Sequence, residues 1–159
     1  MISKKKSIKS YRKRTLMKRT NKNKLTMKNA AIILISKLGS KDRFVILRDR
    51  NNHKWMIPGG NLEKGETPFQ GMKREFYEEV GQELPYLEKQ KSFDFPRYKT
   101  CVYVGLSNTK INFRENDEAD AIHFASIDDL MSGRLFNRFK FKSYVKSTLN
   151  RLKDDIISI

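Results

Sequence analysis

The chain has 159 residues, with 34 Lys and Arg against 18 Asp and Glu and a net charge of +16. This length suits one domain with a single core. Cys101 is the only cysteine, which excludes an intrachain disulfide. The most apolar run, residues 30–35, is too short to span a bilayer. We therefore expect an intracellular, cytoplasmic protein with no membrane contact.

The first 28 residues hold twelve of the basic side chains and no acidic one, which leaves only +4 for residues 29–159. High charge with low hydrophobicity predicts a disordered basic tail at 1–28 and a folded domain at 29–159. Such a tail favours a phosphate-rich partner, either RNA or DNA. The alternatives are a signal for import into the nucleus or a mitochondrion, and a tail that only improves solubility.

The folded part opens with strands. Two aliphatic runs, 29–36 and 43–47, flank Gly39–Asp42, and this pattern predicts a hairpin. A polar turn at 49–53 then leads into a short strand at 55–57, which ends at Pro58 and two glycines.

A helix is predicted from Pro68 to Val80. Thr67 is a suitable N-cap, Gln70 stands where a capping box needs it, and Gly81 is a suitable C-terminal stop. One apolar stripe at helical spacing is expected to face the core: Phe69, Met72, Phe76 and Val80.

The same helix carries three acids, Glu75, Glu78 and Glu79, on a neighbouring face. Carboxylates this close repel one another, whereas a hard cation such as Mg²⁺ would draw them together, because it prefers oxygen ligands. The alternative is an ordinary solvated face that Lys73 and Arg74 neutralise.

After this helix, residues 86–95 and 99–106 are predicted to form a strand pair around Pro96 and Arg97, and 119–124 a further strand. A short helix is expected at 126–131 and an amphipathic one at 139–152. The last helix would bury Phe141, Val145, Leu149 and Leu152 and turn its basic residues to solvent, namely Lys140, Lys142, Lys146, Arg151 and, just past its end, Lys153. The pattern indicates an α/β fold.

The stretch from Gly60 to Gln82 resembles the box that defines the Nudix hydrolases. It matches the box at seven glycine and charged positions: Gly60, Glu66, Arg74, Glu75, Glu78, Glu79 and Gly81. It departs at Gln82, which is usually aliphatic in the family, and at Gly71 and Met72, where alanines are common. The resemblance implies the Nudix fold, a mixed β-sheet sandwiched between α-helices, and a metal-dependent pyrophosphohydrolase.

The resemblance also implies roles by position. Glu75, Glu78 and Glu79 would bind Mg²⁺ or Mn²⁺, joined by the carbonyl oxygen of Gly59. The Glu66–Arg74 pair would orient the helix carboxylates. Glu118 resembles a loop glutamate that serves some members as an extra ligand or general base, and a solvated loop acid is its alternative. Two or more ions would acidify a water, and Glu79, Glu78 or Glu118 would take its proton. His53 and His123 are weaker candidates, since Mg²⁺ prefers oxygen.

The substrate is less well defined by the sequence. The basic tail and last helix favour the 5′ end of RNA as the substrate. That end would be either a cap (mRNA decapping) or a triphosphate. A base of the RNA could stack on an aromatic side chain, and the candidates are Trp55, Phe93, Phe95, Tyr98 and Tyr103. The alternatives are a small nucleotide, such as a nucleoside triphosphate, dinucleoside polyphosphate or nucleotide sugar, and an inositol pyrophosphate. A non-catalytic RNA-binding module is disfavoured, because no carboxylate of the box is missing.

Overall fold

A computed structural model describes residues 26–38 and 41–159. Within them, seven strands form one sheet: β1 (Asn29–Leu38), β2 (Lys41–Asp49), β3 (Trp55–Met56), β4 (Gly59–Asn61), β5 (Lys89–Phe95), β6 (Thr100–Ser107) and β7 (Ala119–Ser126). The helices of the same residues are α1 (Pro68–Val80), α2 (Ile127–Met131), α3 (Arg134–Arg138), α4 (Ser143–Arg151) and α5 (Lys153–Ser158). The predicted tail lies outside the described residues up to position 25, as do Gly39 and Ser40 of the predicted hairpin.

Strand β1 is the centre of the sheet. β6 runs parallel along one of its edges, while the other edge pairs antiparallel with β4 through residues 29–31 and with β2 through residues 35–38. Residues 30–36 are all buried, as expected for a strand covered on both faces. Because β2 and β4 share one edge of β1, they separate near Ile32, whose N–H donates to the carbonyl of Pro58 (2.9 Å).

Helices cover both faces of the sheet. On β6, Tyr103 packs edge to face on Phe69 of α1, with ring centroids 5.4 Å apart. The alternate residue Val102 pairs with Phe93 and faces the other way, where Arg151 of α4 lies over Phe95. The predicted architecture, a mixed sheet between helices, is confirmed. In residues 26–38 and 41–159, no helix combines the length and hydrophobicity needed to cross a membrane.

Helix α1 begins and ends as the sequence predicts. Thr67 Oγ1 accepts from the Gln70 N–H (3.2 Å), and the Gln70 side chain accepts from the Thr67 N–H (2.9 Å), which completes the capping box. Gly81 adopts the left-handed conformation (φ 77°) and closes the helix. Three members of the apolar stripe, Met72, Phe76 and Val80, are fully buried, and Phe69 is partly buried.

The prediction of one helix over residues 139–152 is wrong. The structure has α3 before it, an extended segment at 139–142, and then α4. Two backbone hydrogen bonds explain the break: Trp55 N–H donates to the Lys140 carbonyl (2.8 Å), and Lys142 N–H donates to the Trp55 carbonyl (3.0 Å). Phe141 therefore forms a β-bridge to Trp55 and does not lie on the helix.

Strands β5 and β4 also differ from prediction. β5 begins at Lys89 rather than at Tyr86, because its pairing with β6 starts at Lys89 opposite Leu106. The short strand β4 was not predicted, since the glycines that form it read as a turn. Its pairing with β1 requires glycine at position 59, where a Cβ atom would overlap the backbone of Ala30 and Ala31.

Gly59→Ala should therefore destabilise the fold more than Gly65→Ala does. Both glycines have positive φ (155° and 84°), but a Cβ atom at Gly65 meets nothing within 4 Å. We expect a loss of about 1–2 kcal/mol at Gly65 from backbone strain alone, and at least about 1–3 kcal/mol more at Gly59 from overlap. Urea unfolding in metal-free buffer measures both, and equal losses would contradict the close packing of β4 on β1.

Candidate active site

Three carboxylates meet at one end of α1. Glu75 and Glu79 come from the helix and Glu118 from the loop before β7, and each offers an oxygen within 4.8 Å of the others. Glu79 is only 3% exposed, the Glu75 side chain is 12% exposed, and Glu118 is open to solvent. The cluster therefore combines two shielded acids with one that water reaches.

Glu79 is the most buried acid of the cluster. The Gly59 N–H donates to its Oε2 (2.8 Å) and so fixes the orientation of the carboxylate. Burial raises the pKa of Glu79 well above its ordinary value, and the charges of Glu75 and Glu118 add to this. The Gly59 N–H and the Lys142 ammonium act in the opposite direction and are too weak to cancel the effect.

Gly60 leaves room for the Glu75 carboxylate. A Cβ atom on Gly60 would lie 2.6 Å from the carboxyl carbon of Glu75. Burial raises the pKa of Glu75 as well, although the hydrogen bond and charge of Arg74 partly offset this. Glycine at this position of the box therefore leaves space for the Glu75 carboxylate.

Arg74 uses all five of its N–H donors on this network. Nε and Nη2 bind the two oxygens of Glu66 (2.8 and 3.1 Å), and Nη2 also binds the Asn61 carbonyl (2.8 Å). Nη1 binds Glu75 (3.0 Å) and Glu78 (2.9 Å). The hydrogen bonds from Arg74 lower the pKa of Glu66. The predicted Glu66–Arg74 pair is therefore present in the structure.

Glu78 lies outside the cluster. Its Oε2 accepts the hydrogen bond from Arg74, and its side chain is 41% exposed. Of the predicted ligands, the structure brings together Glu75, Glu79 and Glu118, with Gly59 in contact through its N–H. A role for Glu78 and for the Gly59 carbonyl in binding a metal stays a prediction.

Asn116 holds Glu118 in place, and sequence reasoning missed it. Its Nδ2 donates to the carbonyl of Glu79 (2.7 Å), and its Oδ1 accepts from the N–H groups of Glu118 (2.9 Å) and Ala119 (3.0 Å). The sequence signal at Asn116 is an Asn in a polar loop, which indicates only a turn. Its hydrogen bond to Glu79, 37 residues earlier in the chain, could not be predicted from the sequence.

Arg50 fixes the same loop from the β2 side. Its Nε donates to the Asn116 carbonyl (2.7 Å), its Nη2 pairs with Glu115 (2.5 Å), and its N–H donates to the Glu118 carbonyl (2.9 Å). The backbone of Glu118 is thus held on two sides, while its carboxylate projects from a constrained loop.

Lys142 and Tyr144 lie near enough to Glu79 to interact with its charge. Lys142 Nζ pairs with Asp49 (2.6 Å), and its side chain is only 24% exposed. Burial, with the charges of Glu79 and Asp49, raises the pKa of Tyr144 to about 12. The prediction placed Lys142 on a solvent-facing helix surface, and it is wrong because the extended segment 139–142 turns this lysine inward.

The two histidines take no part in the carboxylate cluster. His123 packs against Phe139, with ring centroids 4.8 Å apart, and lies edge-on to Trp55 (6.2 Å). Burial and the charges of Arg138 and Arg43 lower its pKa. His53 lies beside Asp120, with Nδ1 at 3.8 Å from the carboxylate.

Comparison with known proteins gives a family and a fold. The family model of the NUDIX domain matches residues 27–146. Among curated proteins, the RNA pyrophosphohydrolases of Francisella tularensis and Francisella philomiragia are 42% identical over 53 residues, which is 33% of this chain and 32% of theirs. The match thus spans only about a third of the length of these relatives.

Solved structures agree on the architecture. An Ap4A hydrolase from C. elegans superposes with a TM-score of 0.63 at 18% identity, covering 83% of this chain and 100% of its own. A Nudix hydrolase from M. smegmatis gives 0.64 at 14% identity, covering 84% and 87%. At these identities the likeness establishes the fold.

Glu79→Gln should stabilise the metal-free protein at neutral pH. The pKa of Glu79 is raised above its unfolded value of roughly 4.3. Its contribution to stability is therefore greatest at low pH and is lost as pH rises through the folded-state pKa. In EDTA, the melting temperature of the parent should fall more from pH 5 to pH 7.5 than that of the variant.

The control is Glu83→Gln, an exposed acid just past α1, which should follow the parent. Added Mg²⁺ or Mn²⁺ should raise the melting temperature of the parent and of the control but not of Glu79→Gln. Parallel pH curves for the parent and Glu79→Gln would contradict the burial of a charge at this position.

Proposed function

The chain belongs to the Nudix family of hydrolases, which act on pyrophosphate bonds, and from this premise we propose that it cleaves a diphosphate linkage at the 5′ end of RNA with Mg²⁺ or Mn²⁺. The observation that carries the proposal is the meeting of Glu75, Glu79 and Glu118. The RNA end is either a triphosphate or a cap.

The donor set fits a hard divalent cation. All three side chains offer carboxylate oxygens, which Mg²⁺ and Mn²⁺ prefer. The shielded position of Glu79, next to two further acids, leaves negative charge that a cation would neutralise. When bound, such an ion supplies charge neutralisation for the diphosphate and lowers the pKa of a water molecule.

The residues around the cation site have separate tasks. Gly59 and Arg74 hold the helix carboxylates in position. Glu118 is the solvent-exposed member of the cluster, so it is the group best placed to accept a proton from the attacking water and release it.

In the proposed reaction, the water oxygen bonds to phosphorus, the anhydride P–O bond breaks, and the leaving phosphate takes the electron pair. The RNA then carries a 5′-monophosphate.

Two features support RNA as the substrate. Residues 1–28 carry +12, and basic segments bind nucleic acids through their phosphates. The Francisella relatives, which resemble a third of this chain, are RNA pyrophosphohydrolases by name. Small nucleotides and inositol pyrophosphates are the competing substrates, and the experiment below separates them.

Glu79→Gln and Glu118→Gln should each reduce kcat by at least about 100-fold, because general acid–base and metal-ligand contributions are of that size. Asp117→Asn removes a neighbouring loop acid outside the cluster and should keep the parental rate. Initial rates on a 5′-triphosphate RNA, with Mg²⁺ or Mn²⁺, measure this. A parental rate in Glu79→Gln would contradict the proposed site.

The substrate panel compares the full chain with residues 29–159. Both proteins are assayed on triphosphate RNA, capped RNA, nucleoside triphosphates, dinucleoside polyphosphates, a nucleotide sugar and an inositol pyrophosphate. We expect RNA to be hydrolysed best, with a KM that rises when residues 1–28 are removed. The difference should vanish at high salt, because phosphate contacts by basic residues weaken steeply with salt.

Equal activity of both proteins on small nucleotides, with none on RNA, would refute the RNA assignment and leave the hydrolase intact. RNA binding without hydrolysis of any substrate would instead indicate a non-catalytic module.

A further inference from the structure

A cavity of about 210 Å³ lies apart from the carboxylate cluster, between the turn that joins β5 to β6 and the second half of α4. Its lining residues are Phe95, Pro96, Arg97, Tyr98, Ser147 and Arg151. Nothing in the proposed chemistry uses it. Its volume is below the roughly 300 Å³ of pockets that enclose a whole small molecule, so it suits one part of a larger ligand.

The lining pairs positive charge with aromatic rings. The Arg151 guanidinium lies over the Phe95 ring (4.5 Å to the centroid), and that of Arg97 lies over Tyr98 (5.7 Å). No lining residue is acidic, and within residues 26–38 and 41–159 neither guanidinium forms an ion pair with a carboxylate. Both cations are therefore available to an anionic ligand.

This combination is typical of sites for single-stranded nucleic acid. Bases stack on aromatic rings and on guanidinium planes, and guanidinium groups bind phosphate oxygens through paired hydrogen bonds. Tyr98 is 38% exposed, so one ring remains open to a base. Phe95 is covered by Arg151, which fixes this guanidinium at the cavity.

Helix α4 connects the cavity to the catalytic end of the molecule. Tyr144, Ser147 and Arg151 follow one another at i, i+3 and i+7, so they lie on one face of α4. From Tyr144 to Arg151 this face extends about 10 Å along the axis.

The other end of that face adjoins the carboxylates. Lys142, which precedes α4, contacts Met56 (Nζ to Sδ, 3.3 Å) and pairs with Asp49. Three residues after Met56 comes Gly59, whose N–H holds Glu79. The face of α4 that begins at Tyr144, close enough to Glu79 to interact with its charge, therefore ends at the cavity.

The basic N-terminal segment joins the fold beside the same cavity. Lys28 N–H donates to the carbonyl of Lys99 (2.8 Å), and Asn29 Nδ2 donates to the carbonyl of Tyr98 (3.3 Å). The twelve basic residues of positions 1–28 are thus connected to the domain at the turn that lines the cavity. A polyanion bound here would lie next to Lys28, the last basic residue of that segment.

We propose that this cavity binds one nucleotide of the substrate, its base against Tyr98 and its phosphate between Arg97 and Arg151, while the diphosphate lies at the Glu75–Glu79–Glu118 cluster. The inference rests on the proposed function for the identity of the substrate. The cavity itself is tested by binding, which needs no turnover.

The test compares three variants of the full chain. Arg97→Gln/Arg151→Gln removes both charges, and Ser147→Glu adds a carboxylate to the cavity and leaves both arginines. Arg138→Gln is the matched control, since that arginine also lies over a ring, Phe139 (5.3 Å), but away from the cavity. Melting temperatures establish that each variant folds.

Fluorescence anisotropy with a 3′-labelled oligoribonucleotide bearing a 5′-monophosphate gives Kd without hydrolysis. We expect about a tenfold rise in Kd for the double variant and for Ser147→Glu, since one charge-assisted contact to phosphate contributes roughly that factor. Arg138→Gln should bind as the parent does. On triphosphate RNA, KM should rise with little change in kcat.

A second arm uses ATP and a dinucleoside polyphosphate. If KM rises for these as well, the cavity takes the base next to the cleaved linkage, and if it rises for RNA alone, the cavity takes a later nucleotide. Both results support the proposal.

Unchanged Kd and KM in the double variant and in Ser147→Glu would overturn the proposal while leaving the hydrolase in place. Failure of the parent to bind the oligonucleotide would also overturn it. A chain that binds RNA through the cavity but hydrolyses nothing would refute the proposed function alone.

Discussion

The mutual repulsion of Glu75, Glu79 and Glu118 is the constraint around which this part of the structure is built. Three acids within 4.8 Å would separate unless their neighbours held them. The Gly59 N–H holds Glu79, Arg74 holds Glu75, and Asn116 holds the loop of Glu118. These contacts do not offset the burial that raises the pKa of Glu79. Under the proposed function, a divalent cation bound here would neutralise the carboxylates.

The fold supplies these contacts through the divergence of its sheet. Because β4 and β2 pair with different parts of one edge of β1, the segment between them leads into β4, whose first residue, Gly59, contacts Glu79 of α1. The same segment supplies Trp55, which binds the chain at 140–142 and turns Lys142 inward. The carboxylates and the start of α4 are thereby brought to one end of the sheet, and the far end of α4 extends toward the basic cavity.

Much of this could be predicted where the signal is local. The limits of α1, its cap and its buried stripe follow from Thr67, Gln70 and the apolar spacing, and the box at Gly60–Gln82 indicates the family. What could not be predicted depends on distant partners. Asn116 binds a carbonyl 37 residues away, and the helix predicted from residue 139 gives way to a bridge with Trp55. Spacing places Glu78 beside Glu75 and Glu79, but in the structure its carboxylate accepts a hydrogen bond from Arg74 and lies outside the cluster.

The central claim is that Glu75, Glu79 and Glu118 together form a divalent cation site, and Mn²⁺ binding measured by electron paramagnetic resonance tests it most directly. Titration of the full chain should show saturable loss of the free Mn²⁺ signal. Glu79→Gln and Glu118→Gln should weaken this binding strongly, while Asp117→Asn should not. Mn²⁺ binding of equal strength in the parent, Glu79→Gln and Glu118→Gln would contradict the account.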